Sequence, residues 1–536
     1  MIPSIFNDVI GPVMRGASSS HCAAALRIGR LARDLVGGTP ERLVVEFDRA
    51  GSLPTTHESQ GSDMGLFGGL LGWEADDPRL PDSAAAIRDA GVDVAIHTVD
   101  VGDPHPNTYR LTLRKGNRQR SLRAISTGGG MIELIAVDDL PLSAHGDYHE
   151  TLLHVAAGDG EVADRLAARL SQAIEERGGG FEPDGLVVRT GESGAMLQLS
   201  SRDPVPDFLL DAVAGSEPLT GIDRLAPVLP VRSRRGVGVP FTSAAELLAV
   251  ADPSEPLWKQ AVAYEMARGG LTEAEVIDRM RAIVRLLERS IAEGIAGTRY
   301  ADRVLPAQAP GFAEALAAGR LVGDCSLNRV VLAVTALMEV KSSMGVIVAA
   351  PTAGACAALP AAVLTLAGEM GLDEVAKARA LLAAGLVGIF ICTPWSFAAE
   401  VGGCQAEGGS AAAMAAAGIV TLAEGTLKQA LTAASLAMQS MLGLICDPVA
   451  NRVEVPCLGK NVMAATNALA CANMALAGFD EVIPFDEVVA AAARVAGQMP
   501  RELRCTALGG LAITPTSLAI EARLAAGRTA GCGGCG

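Results

Sequence analysis

A chain of 536 residues is long enough for about two to four domains, and half of its residues are hydrophobic while only 3% are aromatic. We therefore expect a core of closely packed helices filled with small side chains such as Ala and Gly. The net charge of −16 argues against a nucleic-acid-binding surface, because such a surface requires clustered Lys and Arg.

Residues 1–145 are predicted to form an α/β domain. A helix is expected over 22–36, where Ile28, Leu31 and Leu35 share one face. Hydrophobic and polar residues then alternate, as they do in strands, over 42–47, 92–97, 109–113 and 122–126. The triple glycine 128–130 predicts a tight turn after the last of these strands.

Residues 148–225 are predicted to form a second, smaller unit. Its patterns indicate one strand, then one helix, then two strands, at 149–156, 162–174, 186–189 and 195–199. This order favours a small ferredoxin-like (ACT-like) regulatory module. An α/β connector without a regulatory role stays an alternative, because element order alone does not fix function.

A Pro- and Arg-containing linker at 226–241 precedes a long segment, 242–525, in which nearly every stretch has helical periodicity. Thr242, Ser243 and Glu246 have the spacing of a capping box at its start. The expected fold class is therefore multidomain α+β, with a large all-α domain over 242–525 and a flexible, Cys-containing tail over 526–536.

Three uncharged runs, 342–368, 380–399 and 429–446, approach the length of a membrane span. They are rich in Ala, Gly and Ser and lack aromatic belts and a one-sided basic bias, so we predict buried core helices. We expect the protein in the reducing cytoplasm. The chain has eleven cysteines, an odd number, which does not suit an oxidising compartment. Its N-terminus also does not have the basic and apolar pattern of a signal peptide.

Three cysteines have the sequence contexts of metal ligands: Cys404 in Gly-Gly-Cys-Gln-Ala-Glu-Gly-Gly, Cys446 before Asp-Pro, and Cys457 after Val-Pro. Three thiolates without an obvious fourth protein ligand suggest an iron–sulfur cluster with one iron left open, and an open iron can act as a Lewis acid. Three buried structural thiols are the alternative. That alternative poorly explains the polar residues Gln405 and Glu407 beside Cys404.

Short motifs occur in a fixed order along both halves of the chain, at 10–21, 105–108, 126–130, 350–356, 403–407, 446–450, 455–457 and 509–513. In this order they resemble the β part and then the α part of the bacterial iron–sulfur-dependent L-serine dehydratases (L-serine ammonia-lyases), fused in one chain. The resemblance covers most of 1–145 and 242–515.

The resemblance implies that the cysteines matching the family ligands, Cys404, Cys446 and Cys457, hold a [4Fe–4S] cluster. It also implies a cytoplasmic lyase that dehydrates and deaminates a small amino acid, with L-serine going to pyruvate and ammonia as the first expectation. We expect no nucleic-acid or membrane partner. We expect a homodimer, because some relatives are built from two chains and because helices rich in small residues can pack closely against each other.

Polar residues within the matching motifs are candidates for substrate binding. Three serines before a helix, with the first free amides of that helix, suit a carboxylate. A second anion site is expected at the turn after Thr352, and Arg504 can hold a carboxylate bidentately. The candidate set is Ser18, Ser19, Ser20, Asn107, Thr352, Gly354, Asn461 (as a supporting donor beside Cys457) and Arg504.

The general base is not fixed by the family pattern. The family histidine falls on Gln60, which cannot accept a proton near neutral pH. His57, His21 and His105 are therefore the candidate catalytic bases. Further departures from the family motifs occur at Ala353, Cys505 and Leu508. Together these departures indicate a changed substrate, a changed base, or both.

Several alternatives stay open. The same chemistry can act on another β-substituted amino acid, by cysteine desulfidation or by dehydration of a larger β-hydroxy amino acid. A non-catalytic amino-acid-binding regulator, a pyridoxal-phosphate enzyme and a membrane transporter are the other classes. Cys532 and Cys535 can form a redox pair or a zinc half-site, or approach the cluster as a C-terminal cysteine does in some relatives. Cys356, Cys392 and Cys471 are predicted to be packing residues.

Overall fold

The computed structural model describes residues 2–16, 18–155, 160–192, 194–214, 219–234, 236–323 and 325–531. The predictions for Cys532 and Cys535 concern residues outside these ranges. The chain divides into two units. Unit 1 comprises Met1–Ser20, Gly128–Gly130 and Gly238–Gly536, and unit 2 comprises His21–Thr127 and Met131–Val237.

The strands belong to three sheets. In chain order they are β1 (Val13–Arg15), β2 (Arg42–Asp48), β3 (Asp93–Val99), β4 (Thr108–Lys115), β5 (Arg118–Gly128), β6 (Met131–Val137), β7 (Leu140–Ala144), β8 (His149–Val155), β9 (Pro183–Gly191), β10 (Gly194–Ser201), β11 (Leu219–Leu225) and β12 (Val346–Val348).

The helices are concentrated in the C-terminal half of the chain. In chain order they are α1 (Ala24–Val36), α2 (Leu53–Thr56), α3 (Ser62–Leu70), α4 (Ser83–Asp89), α5 (Gly160–Arg177), α6 (Asp207–Ala214), α7 (Ala244–Val250), α8 (Leu257–Gly269), α9 (Glu273–Ala296), α10 (Ala309–Ala317), α11 (Cys325–Ser342), α12 (Ala358–Glu369), α13 (Glu374–Cys392), α14 (Ala399–Gly402), α15 (Ser410–Leu422), α16 (Leu427–Gln439), α17 (Cys457–Leu476), α18 (Phe485–Gln498) and α19 (Pro515–Gly531).

Unit 2 contains a six-stranded sheet in the order β3-β2-β4-β5-β6-β7. β2 pairs in parallel with β3 and antiparallel with β4, so the sheet is mixed. α1 packs against α3, and its buried face (Ile28, Leu31 and Leu35) joins the core of the sheet. The predicted strands at 42–47, 92–97, 109–113 and 122–126 are confirmed as β2 to β5.

Unit 2 also contains a four-stranded sheet in the order β11-β8-β10-β9, in which all neighbouring strands are antiparallel. Along the chain its elements follow one another as βαββαβ, with α5 and α6 packed on each other. The four elements predicted between 149 and 199 are confirmed as β8, α5, β9 and β10. The core of this sheet includes Leu153, Leu166 and Leu197.

Unit 1 is built mainly from helices around α15, which packs against α12, α13, α16 and α17. Residues 411–417 of α15 are alanine or methionine and have no solvent exposure, as the small-residue core predicts. The prediction that 242–525 is entirely helical is wrong at β12, which pairs antiparallel with β1. A three-residue strand is too short to show an alternating pattern, so periodicity could not reveal it.

Among the described residues, one helix (α13) is long and apolar enough to cross a membrane. Of its most apolar stretch, 72% is buried inside the structure. Core helices of globular proteins have this combination of an apolar sequence and a buried surface. The run 380–399, predicted to be a buried core helix, coincides with most of α13.

Candidate functional site

A glycine-dependent turn presents Cys404. Gly403, directly after α14, has a φ of +67°, and a Cβ atom there would lie 2.8 Å from Met499 Sδ and 2.9 Å from the Leu444 carbonyl oxygen. Only glycine fits both this backbone conformation and this space. The turn fixes Cys404 at the start of a π-helical turn that leads into α15, and Cys404 is buried.

Backbone pairing places Cys446 beside a second segment of unit 1. Its N–H donates to the Leu503 carbonyl at 2.8 Å, and its carbonyl accepts from the Cys505 N–H at 3.2 Å. Cys457 is the first residue of α17 and follows Pro456. Proline suits the start of a helix, because the backbone N–H that it lacks would have no partner there. Both cysteines are buried.

The predicted cysteines come together in unit 1. The Sγ atoms of Cys404 and Cys446 and a carboxylate oxygen of Glu407 all lie within 4.8 Å of one another. The Cys446 thiol is in hydrogen-bond contact with the thiols of Cys404 and Cys505. Cys457 interacts electrostatically with Cys404 and lies outside this group of three. The structure therefore adds Glu407 and Cys505 to the predicted trio.

The thiols of Cys446 and Cys457 resist ionisation when no cation is bound. Hydrogen bonds with Cys404 and Cys505, together with burial, raise the pKa of Cys446 well above the usual range of a thiol. Burial also raises the pKa of Cys457. Thiolates are the species that ligate metals, so a bound cation would displace these protons. A buried set of soft sulfur donors fits an iron–sulfur cluster better than a hard cation such as Mg²⁺.

A lysine supports the thiols, although its sequence pattern was not recognised. Lys460 Nζ donates to the Ile445 carbonyl at 2.7 Å and to Asp447 Oδ1 at 2.8 Å, and lies 3.6 Å from Cys404 Sγ. Burial lowers the pKa of Lys460, but Cys404 and Asp447 raise it by more, so the ammonium persists. Its position one turn after Cys457 on α17 is the signal that could have identified it.

Glu407 occupies the turn that was predicted to bind an anion. Thr352 Oγ1 donates to Glu407 Oε1 at 2.6 Å, and a Cβ atom on Gly354 would lie 2.6 Å from the same oxygen. Burial raises the pKa of Glu407 to about 7, although the hydrogen bond from Thr352 opposes this. The group beside Thr352 and Gly354 in this structure is thus a carboxyl group of the protein itself.

Two predicted substrate-binding segments meet in unit 1. Ser19 Oγ accepts a hydrogen bond at 3.2 Å from the N–H of Ala353, in the turn after Thr352. Ser18 is half-buried, and Ser19 and Ser20 are buried in a π-helical turn over Ser19–Ala23. The helix predicted over 22–36 therefore begins with this π-helical turn and continues as α1.

Asn461 and Arg504 both contact the backbone around the thiols. Asn461 Oδ1 accepts from the amides of Ala357 and Ala358, and its Nδ2 donates to the carbonyls of Gly354 and Cys457. Both ends of its side-chain amide are therefore engaged in joining α12 to α17. Arg504 Nε donates to the Met499 carbonyl at 2.8 Å, which anchors the loop that contains Cys505.

The candidate histidines His21 and His57 lie close together in unit 2, at the end of α2. His21 Nε2 hydrogen-bonds Thr56 Oγ1 at 2.9 Å, and burial together with the charge of His57 lowers the pKa of His21 to about 4. His57 Nδ1 lies 2.8 Å from both carboxylate oxygens of Asp63, and this contact raises the pKa of His57. Gln60, at the family histidine position, is buried in the same loop.

His105 and Asn107 belong to a separate hydrogen-bonded turn of unit 2. His105 Nδ1 accepts from the Asn107 N–H at 3.1 Å, and burial lowers the pKa of His105. The Asn107 side-chain oxygen accepts a hydrogen bond from the Ser52 hydroxyl, and the Ser52 carbonyl accepts from Thr56 Oγ1. This network connects the His105 turn to the segment that holds His21.

Comparison with known proteins identifies relatives for both halves of the chain. The family model described as "Serine dehydratase alpha chain" matches residues 252–512. A probable L-serine dehydratase alpha chain of Latilactobacillus sakei is 46% identical over 35% of this chain and 89% of its own length. A probable L-serine dehydratase beta chain of Bacillus subtilis is 39% identical over 28% of this chain and 67% of its own length. An L-serine dehydratase of Streptomyces coelicolor is 28% identical over 95% of this chain and 97% of its own length.

Proposed function

Because the chain belongs to the L-serine dehydratase family, we propose that it converts L-serine to pyruvate and ammonia. The observation that carries this proposal is the group formed by the buried Cys404 and Cys446 with the half-buried Glu407, which lies inside the region matched by the family model. A buried cluster of sulfur donors beside a half-buried lysine has no evident role in packing alone, since free cysteines usually pack among apolar neighbours.

Cys404, Cys446 and Cys457 are the residues that would hold a [4Fe–4S] cluster. When bound, such a cluster with an accessible iron supplies a Lewis acid that favours departure of the substrate hydroxyl. Lys460 balances part of the negative charge of the thiolates, because its Nζ lies 3.6 Å from Cys404 Sγ. Asp447 and the Ile445 carbonyl hold that ammonium in place.

The substrate carboxylate is assigned to the serine segment. Ser18, Ser19 and Ser20 offer hydroxyl donors at the start of a helical turn, and Ser19 is held by the amide of Ala353. Orienting the carboxylate restricts the motion of the bound substrate and lowers the entropic part of the barrier.

His57 is the proposed general base. Asp63 forms hydrogen bonds with Nδ1 of His57. Among the described residues of unit 2, none forms a hydrogen bond with Nε2 of His57. Nε2 would take the α-proton, and Asp63 would stabilise the resulting imidazolium. Loss of the α-proton and of hydroxide leaves an enamine, which tautomerises to an imine and is hydrolysed by water to pyruvate and ammonia. His21 is less suited to this role, because burial and the His57 charge lower its pKa to about 4.

The four-stranded sheet of unit 2 is proposed to be a ferredoxin-like (ACT-like) regulatory module. Support comes from its βαββαβ element order and from the placement of β8 and β10 at the centre of the sheet. A cytoplasmic homodimer is the proposed form of the enzyme, since relatives are named as separate alpha and beta chains and the core helices of unit 1 are rich in small residues.

A substrate panel tests this proposal. Anaerobically purified protein is assayed with L-serine, D-serine, L-threonine and L-cysteine, and pyruvate, 2-oxobutyrate, ammonia and sulfide are measured. We expect equal amounts of pyruvate and ammonia from L-serine. Sulfide from L-cysteine without serine turnover would indicate a desulfidase, and L-serine binding without any product would indicate a regulator. Activity of iron-free protein with a borohydride-sensitive chromophore would indicate pyridoxal phosphate.

A further inference from the structure

Cys505 lies beside the proposed cluster ligands, although its sequence context marks it only as a departure from the family motif. The segments around Cys446 and Cys505 are joined by two backbone hydrogen bonds, from the Cys446 N–H to the Leu503 carbonyl (2.8 Å) and from the Cys505 N–H to the Cys446 carbonyl (3.2 Å). A parallel bridge pairs Cys446 with Arg504. This pairing fixes Cys505 next to Cys446.

The side chain of Cys505 points into the same group of thiols. Its thiol hydrogen-bonds the Cys446 thiol, and it packs against the buried set of Ala399, Cys404 and Cys446. Cys505 therefore belongs to the same cluster of packed side chains as two of the three predicted ligands.

The backbone at Cys505 adopts an unusual conformation. Its φ is +58°, in the left-handed region that residues with side chains rarely adopt. Residues held in such conformations cluster at functional sites, where the surrounding structure compensates for the strain. Here the backbone bonds to Cys446 and the Arg504 anchor hold the conformation that directs the thiol inward.

We propose that Cys505 is a fourth sulfur ligand of the cluster and binds, in the absence of substrate, the iron that Cys404, Cys446 and Cys457 leave open. This inference rests on the proposed function, because it presupposes the cluster. The exchange with substrate involves no electron transfer. When substrate binds, the Cys505 thiolate would leave the iron and take up a proton from water, which leaves hydroxide in the solvent, and a ligand atom of the substrate would take the vacated position.

The experiment compares wild-type protein with Cys505→Ala, both purified without oxygen and treated with one equivalent of ferricyanide. In the wild type, four sulfur ligands should retain about four irons per four sulfides. In Cys505→Ala, the exposed iron should be lost, which gives about three irons per four sulfides and the electron paramagnetic resonance signal of a [3Fe–4S] cluster. Cys471→Ala, which removes another buried thiol of unit 1, is the matched control and should behave as wild type.

Two further measurements support or overturn the inference. L-Serine added to the wild type should make the fourth iron as easily lost as in Cys505→Ala, and Cys505→Ser, which keeps an oxygen ligand, should retain more iron than the alanine variant. Identical iron retention in wild type and Cys505→Ala overturns this inference alone. A Cys446–Cys505 disulfide in the anaerobic wild-type protein also overturns it. Wild-type protein without iron and sulfide overturns the proposed function as well.

Discussion

At the level of single residues, the candidate metal centre consists of sulfur donors and the groups that hold them. The sequence contexts predicted Cys404, Cys446 and Cys457 as ligands, and the structure places Cys404 and Cys446 in one group with Glu407. Cys505 could not be predicted, because its approach depends on the pairing of two distant segments, which no local pattern encodes. Lys460 could have been found from its one-turn spacing after Cys457.

Substitution of a proposed ligand should remove the cluster. In Cys446→Ser we expect loss of iron, of acid-labile sulfide and of L-serine turnover, because the serine oxygen is a poorer ligand for a soft metal site. Iron and sulfide per chain are measured after anaerobic purification, with circular dichroism to confirm folding. Cys471 is a buried thiol of α17 that lies 14 residues after Cys457. The variant Cys471→Ser should therefore keep its iron, its sulfide and its L-serine turnover. Full iron content in Cys446→Ser would remove Cys446 from the ligand set.

The proposed base predicts a defined pH dependence. Its contact with Asp63 raises the pKa of His57 above its usual 6.5, so the neutral, proton-accepting form should be lost, and activity should fall, as the pH decreases through that raised value. In Asp63→Asn the pKa of His57 should drop, and the acidic limb of kcat/KM should move to lower pH. Turnover at the plateau should fall by about tenfold or more, because the imidazolium loses its stabilising charge.

An exposed aspartate serves as the control for this variant. Asp100→Asn removes a carboxylate of unit 2 that pairs with Arg49 on the surface. It should change neither the plateau turnover nor the acidic limb of kcat/KM. An unchanged acidic limb in Asp63→Asn would exclude His57 as the titrating base.

At the level of elements, several strands with a clear pattern of alternation were predictable, and other strands of the same length were not. The sequence patterns predicted β2 to β5 and β8 to β10, whereas the strands β1, β6, β7, β11 and β12 and the helix α6 were not predicted. β1 and β12 have three residues each, which is too few to distinguish a period of 2 from one of 3.6. β11 is as long as β2, but its sequence Leu-Thr-Gly-Ile-Asp-Arg-Leu does not alternate strictly. The π-helical turn before α1 was missed because its residues resemble an ordinary helix start.

Close helix packing in unit 2 should make a glycine indispensable. A Cβ atom on Gly69 of α3 would lie 2.1 Å from the Leu26 carbonyl oxygen of α1. Gly69→Ala should therefore force the helices apart and lower the free energy of unfolding of unit 2 by about 1–3 kcal/mol. Urea unfolding followed by circular dichroism measures the change.

A helical glycine without close neighbours provides the comparison. Gly497 of α18 is exposed, and a Cβ atom there would meet nothing within 4 Å. Gly497→Ala should be neutral or stabilise the protein by up to about 1 kcal/mol, because alanine favours the helix. Equal effects of the two substitutions would show that the contact between α1 and α3 is not as tight as described.

At the level of the whole molecule, the order of motifs predicted the family, and long-range packing was beyond the reach of the sequence. Residues 5–9 near the N-terminus pack on α13 of unit 1, and the Ile5 N–H donates to the buried carboxylate of Glu265. The hydrophobic periodicity of a segment predicts which of its faces is buried, but it does not predict which other segment packs against that face. The sequence contexts of Cys404, Cys446 and Cys457 suggested one cluster and the family resemblance supported it, but neither shows how the three segments pack together.

The central claim is that the thiol group of unit 1 holds an iron–sulfur cluster on which L-serine turnover depends. The most direct measurement is iron and acid-labile sulfide per chain in anaerobically purified protein, followed over a timed exposure to air together with L-serine turnover. We predict about four irons and four sulfides per chain, with activity lost in step with them. Colourless protein that contains no inorganic sulfide and still produces pyruvate from L-serine would contradict the account.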